Sequence, residues 1–226
     1  MRPPIIMNGE KIDWFHTVIR MLMYLAGVAV LALGMSLQTA SGLGVATLTC
    51  FATTLSMLTG KTLGFWITAT YVAYIVAQFT ILRREFQPRI LLELCFSTLI
   101  GGFTDFFMAV NPLHPAALPI QVETMLLSLA VTAFGVSLVV NMGVVPNAPD
   151  GLVQVIAEKI KRRFGDVKVV FDCSHVAVSL VLSLALMHNL GGFGVTTAIS
   201  ALFLGHVINI ANKLFAQRFV RAAFGK

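Results

Sequence analysis

Six apolar stretches, each long enough to cross a bilayer, constrain the fold of this 226-residue chain more than any other feature. A helix needs about 20 apolar residues to cross roughly 30 Å of hydrocarbon. With 57% hydrophobic residues, a soluble core of this size would leave large apolar patches exposed. The sequence therefore predicts an all-α membrane protein with six transmembrane helices. The six stretches are residues 20–40, 63–83, 90–110, 120–140, 168–188 and 194–214.

Two shorter helix-like segments interrupt this series. Residues 45–59 are rich in threonine and carry no charge, which favours a helix that re-enters the bilayer without crossing it. Residues 150–164 are amphipathic, so they fit a re-entrant helix and an interfacial helix equally well. Both segments are about 15 residues long, which is too short for a comfortable span. We therefore expect neither of them to cross the membrane.

The distribution of basic residues predicts the orientation of the chain. Cytoplasmic loops of membrane proteins carry an excess of lysine and arginine. With six spans and a cytoplasmic N-terminus, all 16 basic residues except Lys61 fall on the cytoplasmic side. If residues 45–59 crossed the membrane, Arg83, Arg84 and Arg89 would move outside. We therefore expect both termini in the cytoplasm, and a first span that is not a cleaved signal peptide.

The two halves of the chain repeat each other at an offset of roughly 101 to 105 residues. Each half has the order span, glycine-rich break, short helix, glycine, span, span. This order predicts a first repeat at 20–111 and a second at 119–216, between cytoplasmic end segments at 1–19 and 217–226. The matching motifs are Gly34-Met35-Ser36-Leu37 with Gly135-Val136-Ser137-Leu138, Gly60 with Gly165, Gly42 or Gly44 with Gly143, and Gly101-x-x-x-Asp105 with Gly205-x-x-x-Asn209.

Three crossings per repeat have a geometric consequence. The second repeat must enter the membrane from the opposite side, so the two repeats are inverted about an axis in the membrane plane. Inverted repeats with broken helices are a recurrent plan of secondary transporters, which hold their substrate near the midplane. The breaks at 41–44 and 145–149 each precede a short helix, whose N-terminus carries a partial positive charge. Alternatively, both breaks are ordinary surface turns.

Four glycine-containing runs resemble the YczE/YitT-like family of bacterial multi-pass membrane proteins, and the resemblance covers nearly all of residues 20–215. It implies a protein of the bacterial cytoplasmic (inner) membrane, of a kind often assumed to be a transporter. It also implies a reason for the positions of Asp105, Gln78, Lys168 and Asp172, since similar polar residues occur at the matching points of that family. A Gly-Glu pair common in the family is replaced here by Pro149-Asp150. The four runs are GVVPNAPDGL (143–152), FGDVKVVFD (164–172), GFGVTTAISALFLG (192–205) and GGFTD (101–105).

Polar side chains within the apolar spans are the candidate ligand contacts. A charge in a span costs at least about 2.5–3.5 kcal/mol, so it faces the bundle interior and has a partner. Lys168 and Asp172 have the spacing of an intrahelical ion pair, and Glu93 has that spacing from Arg89. Asp105 and Asn209 are either matching gates or helix-packing bonds next to close-packed Gly101 and Gly205. The substrate-binding candidates are Asn147, Asp150, Asp105, Asn209, Gln78, Asp172, Gln38 and Asn141.

The sequence does not indicate an enzyme, a metal site or a bound cofactor. It contains no phosphate loop, dinucleotide motif or hydrolase nucleophile motif. Asp172 and His175 share a helical face, but two ligands do not make a metal site. His175 and His206 are either core histidines or proton carriers. The three cysteines fit small packing side chains, and the net charge of +6 reflects loop orientation rather than nucleic-acid binding.

Two functions fit these patterns. The first is a secondary transporter or exporter of a small solute, which works by alternating access between the inverted repeats. The second is a non-transporting membrane module, such as a substrate-capturing subunit of a vitamin importer or a regulatory partner of a membrane complex. The expected partners are the lipid bilayer, a small-molecule ligand of unknown identity, and either a second copy of the chain or a membrane-complex partner.

Overall fold

The computed structural model describes residues 14–83, 88–111, 113, 115–145, 147–188 and 190–224, and within these ranges the chain is helical without β-strands. A 3-10 turn at Pro88–Leu91 leads into α4, and a π-helical turn at Ser200–Leu204 joins α8 to α9. The helices are α1 (Trp14–Ser41), α2 (Thr47–Thr59), α3 (Leu63–Leu82), α4 (Leu92–Val110), α5 (Leu118–Met142), α6 (Ala148–Lys159), α7 (Phe164–Met187), α8 (Val195–Ile199) and α9 (Gly205–Phe224).

Six of these helical segments are long and apolar enough to span a membrane, which confirms the predicted number of spans. They are α1, α3, α4, α5, α7 and the continuous run Val195–Ala223, which contains α8, the π turn and most of α9. The first span begins at Trp14 and the last extends to Ala223, so both run further than the apolar stretches 20–40 and 194–214. Helix α9 thus continues through most of the segment assigned to a C-terminal tail.

Helices α2 and α6 are too short to span a membrane, and each ends close to a residue with a positive φ. Helix α2 has 13 residues, about 20 Å of helix, and stops at Gly60, whose φ of 70° an L side chain rarely adopts. Helix α6 has 12 residues, with Pro149 in its first turn. It ends before Lys161, which has a φ of 54°. The expected range 150–164 therefore starts two residues after Ala148 and runs five residues past Lys159. Gly165 lies in the first turn of α7 and does not close α6.

Helices α1 and α5 form the central antiparallel pair. Arg20, near the start of α1, donates hydrogen bonds of 2.6 Å to the Met142 carbonyl and 2.7 Å to the Gly143 carbonyl, at the end of α5. The helices come closest at two glycines. A Cβ atom on Gly34 would lie 2.8 Å from the backbone nitrogen of Thr132, and one on Gly135 would lie 2.6 Å from that of Leu31. Small residues thus let these backbones pack directly.

The other helices surround this pair. Helix α3 packs on α4, α9 packs on α5, and the short helices α2 and α6 pack mainly on α7 and α3 respectively. Gly64 and Gly101 mark the closest approach of α3 to α4, because a Cβ on Gly64 would overlap the Gly101 carbonyl oxygen. The packing interpretation therefore holds for Gly101. It does not hold for Gly205, where an added Cβ would meet no atom within 4 Å.

Candidate functional site

A group of polar and charged side chains meets at the N-terminus of α6. Helices α3, α4, α6 and α7 each contribute at least one member, although most of their other inward-facing residues are apolar. We call this group the α6 polar cluster. Its members are Tyr74, Gln78, Glu93, Asp150, Lys168, Asp172 and His175.

Lys168 is the centre of the charged part of the cluster. Its ammonium group lies 3.0 Å from Asp150 Oδ1 and 3.1 Å from Asp172 Oδ1. The three side chains are 23%, 42% and 25% exposed, so water screens them only in part. The contact with Asp172 confirms the predicted intrahelical ion pair. The contact with Asp150 joins α6 to α7, and no sequence signal indicated it.

Gln78 and Glu93 form the most deeply buried part of the cluster. Each residue is 1% exposed, and Gln78 Nε2 donates a 2.7 Å hydrogen bond to Glu93 Oε2. The same nitrogen lies 3.3 Å from the carbonyl oxygen of Ala148, at the start of α6. A Cβ on Gly151 would lie 2.7 Å from Glu93 Oε1, so α6 packs directly over the carboxyl group. The side chain of Arg89, the partner expected for Glu93, lies outside the described part of the structure.

Tyr74 and His175 connect α3 to α7. The Tyr74 hydroxyl is hydrogen-bonded to His175 Nε2, and His175 Nδ1 lies 2.8 Å from the Phe171 carbonyl oxygen. A carbonyl oxygen only accepts, so Nδ1 carries a proton. In the neutral imidazole, Nε2 then accepts a hydrogen bond from the tyrosine. His175 is therefore a satisfied interior histidine. Among the described residues, no three or more metal-ligating side chains come together.

Asn147 immediately precedes α6 and borders the cluster. Its backbone carbonyl accepts a 2.9 Å hydrogen bond from the Gly151 N–H, and its side chain lies beside the Tyr71 hydroxyl. Among the described residues, its buried Oδ1 atom accepts no hydrogen bond. A buried acceptor without a donor costs about 1–3 kcal/mol, so this atom is suited to a ligand or a water molecule. Four of the eight binding candidates thus lie together: Gln78, Asn147, Asp150 and Asp172.

The start of α2 has a different chemical character. The Gln38 Oε1 atom accepts a 3.0 Å hydrogen bond from the Ala46 N–H, so this side chain caps the backbone break. The break also pairs with the loop before α8, through a 3.1 Å hydrogen bond from the Val45 N–H to the Gly192 carbonyl. Asp105 Oδ1 accepts a 2.7 Å hydrogen bond from the Gly64 N–H at the start of α3. These contacts satisfy backbone groups, and they place Gln38 and Asp105 outside the α6 polar cluster.

Asn141 belongs to a third polar group, whose central residue is Asn212 rather than Asn209. Asn212 Oδ1 accepts hydrogen bonds of 2.5 Å from Ser137 Oγ and 2.8 Å from Asn141 Nδ2. Asn209 is exposed on the outside of α9 and does not join this group. The sequence does contain a signal for Asn212, which stands 101 residues after Asn111. The match of Gly101 with Gly205 uses a different offset and points to Asn209 instead.

We expect Asn212→Ala to lower the unfolding free energy by about 1–2 kcal/mol, because two hydrogen bonds between α5 and α9 are lost. Asn209→Ala is the matched control on the same helix and should change it by less than about 0.5 kcal/mol. Thermal unfolding in detergent measures both. Equal losses in the two variants would contradict the contact geometry of α9.

A cleft of about 420 Å³ opens between the C-terminal ends of α1 and α4. Its polar lining consists of Ser36, Thr39 and Asn111, and its apolar lining includes Met108 and Leu113. Asn111 Nδ2 donates a 3.3 Å hydrogen bond to Ser36 Oγ at its wall. The cleft is large enough for a small solute and lies at the opposite end of α1 from Arg20.

The fold and these polar groups define a helical protein with six membrane-spanning candidates and a charged cluster within the bundle. Residues 18–213 match the model of a family of unknown function, DUF6198, and the chain belongs to this family. No curated protein and no solved structure matches the chain.

Proposed function

We propose that this protein is a secondary transporter or exporter that moves a small solute by alternating access between two inverted repeats. The observation that carries the proposal is a set of contacts that recurs after 101 residues. Asn111 is hydrogen-bonded to Ser36, and Asn212 is hydrogen-bonded to Ser137. In both contacts the two residues are 75 positions apart in the sequence. Each residue of the second pair stands 101 residues after its counterpart in the first.

The α1–α5 contact supports a two-fold relation between the repeats. Gly34 packs on Thr132, and Gly135 packs on Leu31. Gly135 stands 101 residues after Gly34, and Thr132 stands 101 residues after Leu31. Such a reciprocal contact is the mark of a two-fold axis. The axis runs across the helices, because α1 and α5 are antiparallel. It therefore lies in the membrane plane, as an inverted repeat requires.

The Tyr74–His175 hydrogen bond supports a location for this axis. These residues are 101 positions apart, so they are counterparts that touch each other. Two counterparts in contact must lie next to the axis that relates them. Tyr74 and His175 also lie near the middle of α3 and α7. The α6 polar cluster therefore reaches the membrane midplane, where inverted-repeat transporters bind their substrates.

Alternating access requires the two ends of the bundle to differ in openness. The 420 Å³ cleft at one end is lined by Ser36 and Asn111. At the equivalent place in the second repeat, Asn212 is bonded to Ser137 and Asn141, and Arg20 binds the neighbouring carbonyls. This arrangement fits a transporter that is open at the first end and closed at the second. As the repeats rock, the binding candidates at the first end become buried and those at the second end become exposed.

The proposed setting is the bacterial cytoplasmic membrane with both termini inside, which the distribution of basic residues and the YczE/YitT-like runs support. In that orientation the 420 Å³ cleft faces outward. Single cysteines at Arg83 and at Lys61, in a chain without its three native cysteines, test the topology. Impermeant maleimide applied to whole cells should label the cysteine at Lys61 and spare the one at Arg83. Labelling at Arg83 would contradict the inverted arrangement.

Flux through the purified protein tests the transport proposal. Proteoliposomes loaded with a mixture of small solutes are placed under a proton gradient or a potassium diffusion potential, and solute loss is followed by mass spectrometry. We expect loss of at least one solute beyond that of empty liposomes. Asp150→Asn should reduce it, because Asp150 anchors α6 to Lys168. Asp166→Asn, an exposed acid in the first turn of α7, is the matched control and should transport normally. No solute movement under any gradient contradicts transport.

A further inference from the structure

We infer that Glu93 is a proton-binding site, and that the proton it carries is the coupling ion of the transport cycle; the second part rests on the proposed function. Glu93 lies in the first turn of α4, one of the six spanning candidates, and is 1% exposed. Its described hydrogen-bond partner is the neutral amide of Gln78. The proton-binding site is therefore defined by one carboxyl group, its amide partner and the covering surface of α6.

The burial of Glu93 favours the neutral acid. Transfer of an ionised carboxylate out of water costs far more than transfer of a hydrogen-bonded neutral group. The cation of the cluster, Lys168, already contacts two acids, Asp150 and Asp172. Among the described side chains of the cluster, one lysine therefore stands among three carboxyl groups, so neutrality of this group requires protons. Glu93 is the most buried of the three acids and the one for which a single amide is the described partner.

The groups that face Glu93 from the packed helices reinforce this choice. Helix α6 presents the acid Asp150, whose charge repels a second negative charge at Glu93. Helix α1 presents Tyr24, a neutral phenol that also interacts with Cys95 on α4 itself. Helix α3 presents the Gln78 amide, and among the described contacts α7 reaches the site through Lys168, which contacts Asp150. Each of these elements stabilises the protonated carboxyl or leaves it undisturbed.

Helix α6 controls the access of water to Glu93. Gly151 lies directly over the carboxyl group, since a Cβ there would approach Oε1 to 2.7 Å. Movement of α6 away from α4 would therefore expose Glu93 to water and allow it to release its proton. Return of α6 requires the carboxyl to be neutral again. In alternating access, Glu93 thus binds a proton from water while the bundle is open to one side and releases it to water while the bundle is open to the other. Only the O–H bond of the carboxyl group is formed and broken.

Infrared spectroscopy of the purified full-length protein tests the protonation state directly. We expect a carbonyl stretch of a protonated carboxylic acid at neutral pH. The band should disappear in Glu93→Gln and persist in Asp105→Asn, the matched variant of another acid in α4. Where Glu93→Gln yields too little folded protein, Glu93→Asp should shift the band instead. Absence of the band from the wild type, or its persistence unchanged in the Glu93 variants, overturns the inference.

Cysteine labelling tests the movement of α6. Ala148→Cys is introduced into a chain without its three native cysteines, because Ala148 is fully buried at the start of α6. Its alkylation rate is divided by that of Gln154→Cys at an exposed position of the same helix, which corrects for the pH dependence that the two thiols share. We expect the ratio to rise severalfold as the pH is raised, and to stay low and constant when Glu93→Gln is added. A constant ratio in the parent, or an equal rise with Glu93→Gln, overturns the inference.

These readouts separate the proton site from transport. If the band and the labelling behave as expected but no solute crosses the membrane, the transport proposal fails and the proton site stands. If solute flux is found but neither a proton gradient nor Glu93→Gln changes it, transport stands and coupling through Glu93 fails.

Discussion

Replacing Lys168 with methionine is expected to lower the unfolding free energy by about 2–3 kcal/mol. The lysine contacts Asp150 and Asp172 at 3.0 and 3.1 Å, so its removal leaves two neighbouring acids without a cation. Breaking a fully buried ion pair from one side costs about 3–5 kcal/mol. The partial exposure of the two acids, 42% and 25%, reduces that cost. Thermal unfolding in detergent measures the loss.

The same chain offers a rescue and a control for this variant. Adding Asp150→Asn and Asp172→Asn to Lys168→Met removes the repulsion between the acids and should restore most of the lost stability. Lys213→Met removes an exposed lysine from α9 and should change the unfolding free energy by less than about 0.5 kcal/mol. If the triple variant is no more stable than Lys168→Met alone, the lysine acts through packing of its alkyl chain and not through its charge.

The spans were predictable because hydropathy and length are local properties of the sequence. Gly60 likewise marked the end of α2, since its positive φ is a conformation that glycine readily adopts. The end of α6 was not predictable in the same way. Lys161 adopts a φ of 54° although lysine has no preference for that conformation, so the helix ends at Lys159, six residues before Gly165. Backbone hydrogen bonds from the N–H groups of Lys161 and Arg162 to the carbonyls of Glu158 and Ala157 close this end of the helix.

The polar contacts also fall into two groups: those within one helix were predictable from the sequence, and those between helices were not. Lys168 and Asp172 are four residues apart on one helix, so their contact follows from helical geometry alone. The contacts of Gln78 with Glu93, and of Lys168 with Asp150, depend on which helices become neighbours. The periodicity of residues within one helix does not indicate which other helices will pack against it. The sequence therefore indicated every member of the cluster except Tyr74, but it did not indicate that Glu93 pairs with Gln78.

The alignment of the two repeats shows a further limit of sequence patterns. Glycine and apolar residues are frequent in both third spans, so Gly101 can be matched to Gly205 at one offset while Asn111 is matched to Asn212 at another. The hydrogen bonds of Asn111 and Asn212 favour the second offset. The π-helical turn at Ser200–Leu204 adds to the ambiguity, because it changes which faces of the helical run point inward.

The second large effect is expected at the α1–α5 contact. Gly34→Ala and Gly135→Ala should each lower the unfolding free energy by about 2–3 kcal/mol, near the upper range for overpacking. The new methyl carbons would lie 2.8 and 2.6 Å from backbone nitrogens of Thr132 and Leu31. Backbone atoms cannot rotate away, so relief requires the two helices to separate. Gly102→Ala on α4, where no atom lies within 4 Å of the added carbon, should be neutral or should gain up to about 1 kcal/mol of stability.

The relative size of these losses also tests the proposed two-fold relation between the two halves of the chain. Equivalent contacts should cost about the same, so Gly34→Ala and Gly135→Ala should have similar unfolding temperatures in one detergent. The double variant should lose less than the two single losses combined, because one separation of α1 from α5 relieves both clashes. Full additivity would mean that the two contacts yield independently. In that case α1 and α5 would not behave as one rigid pair, which the proposed rocking of two inverted repeats requires.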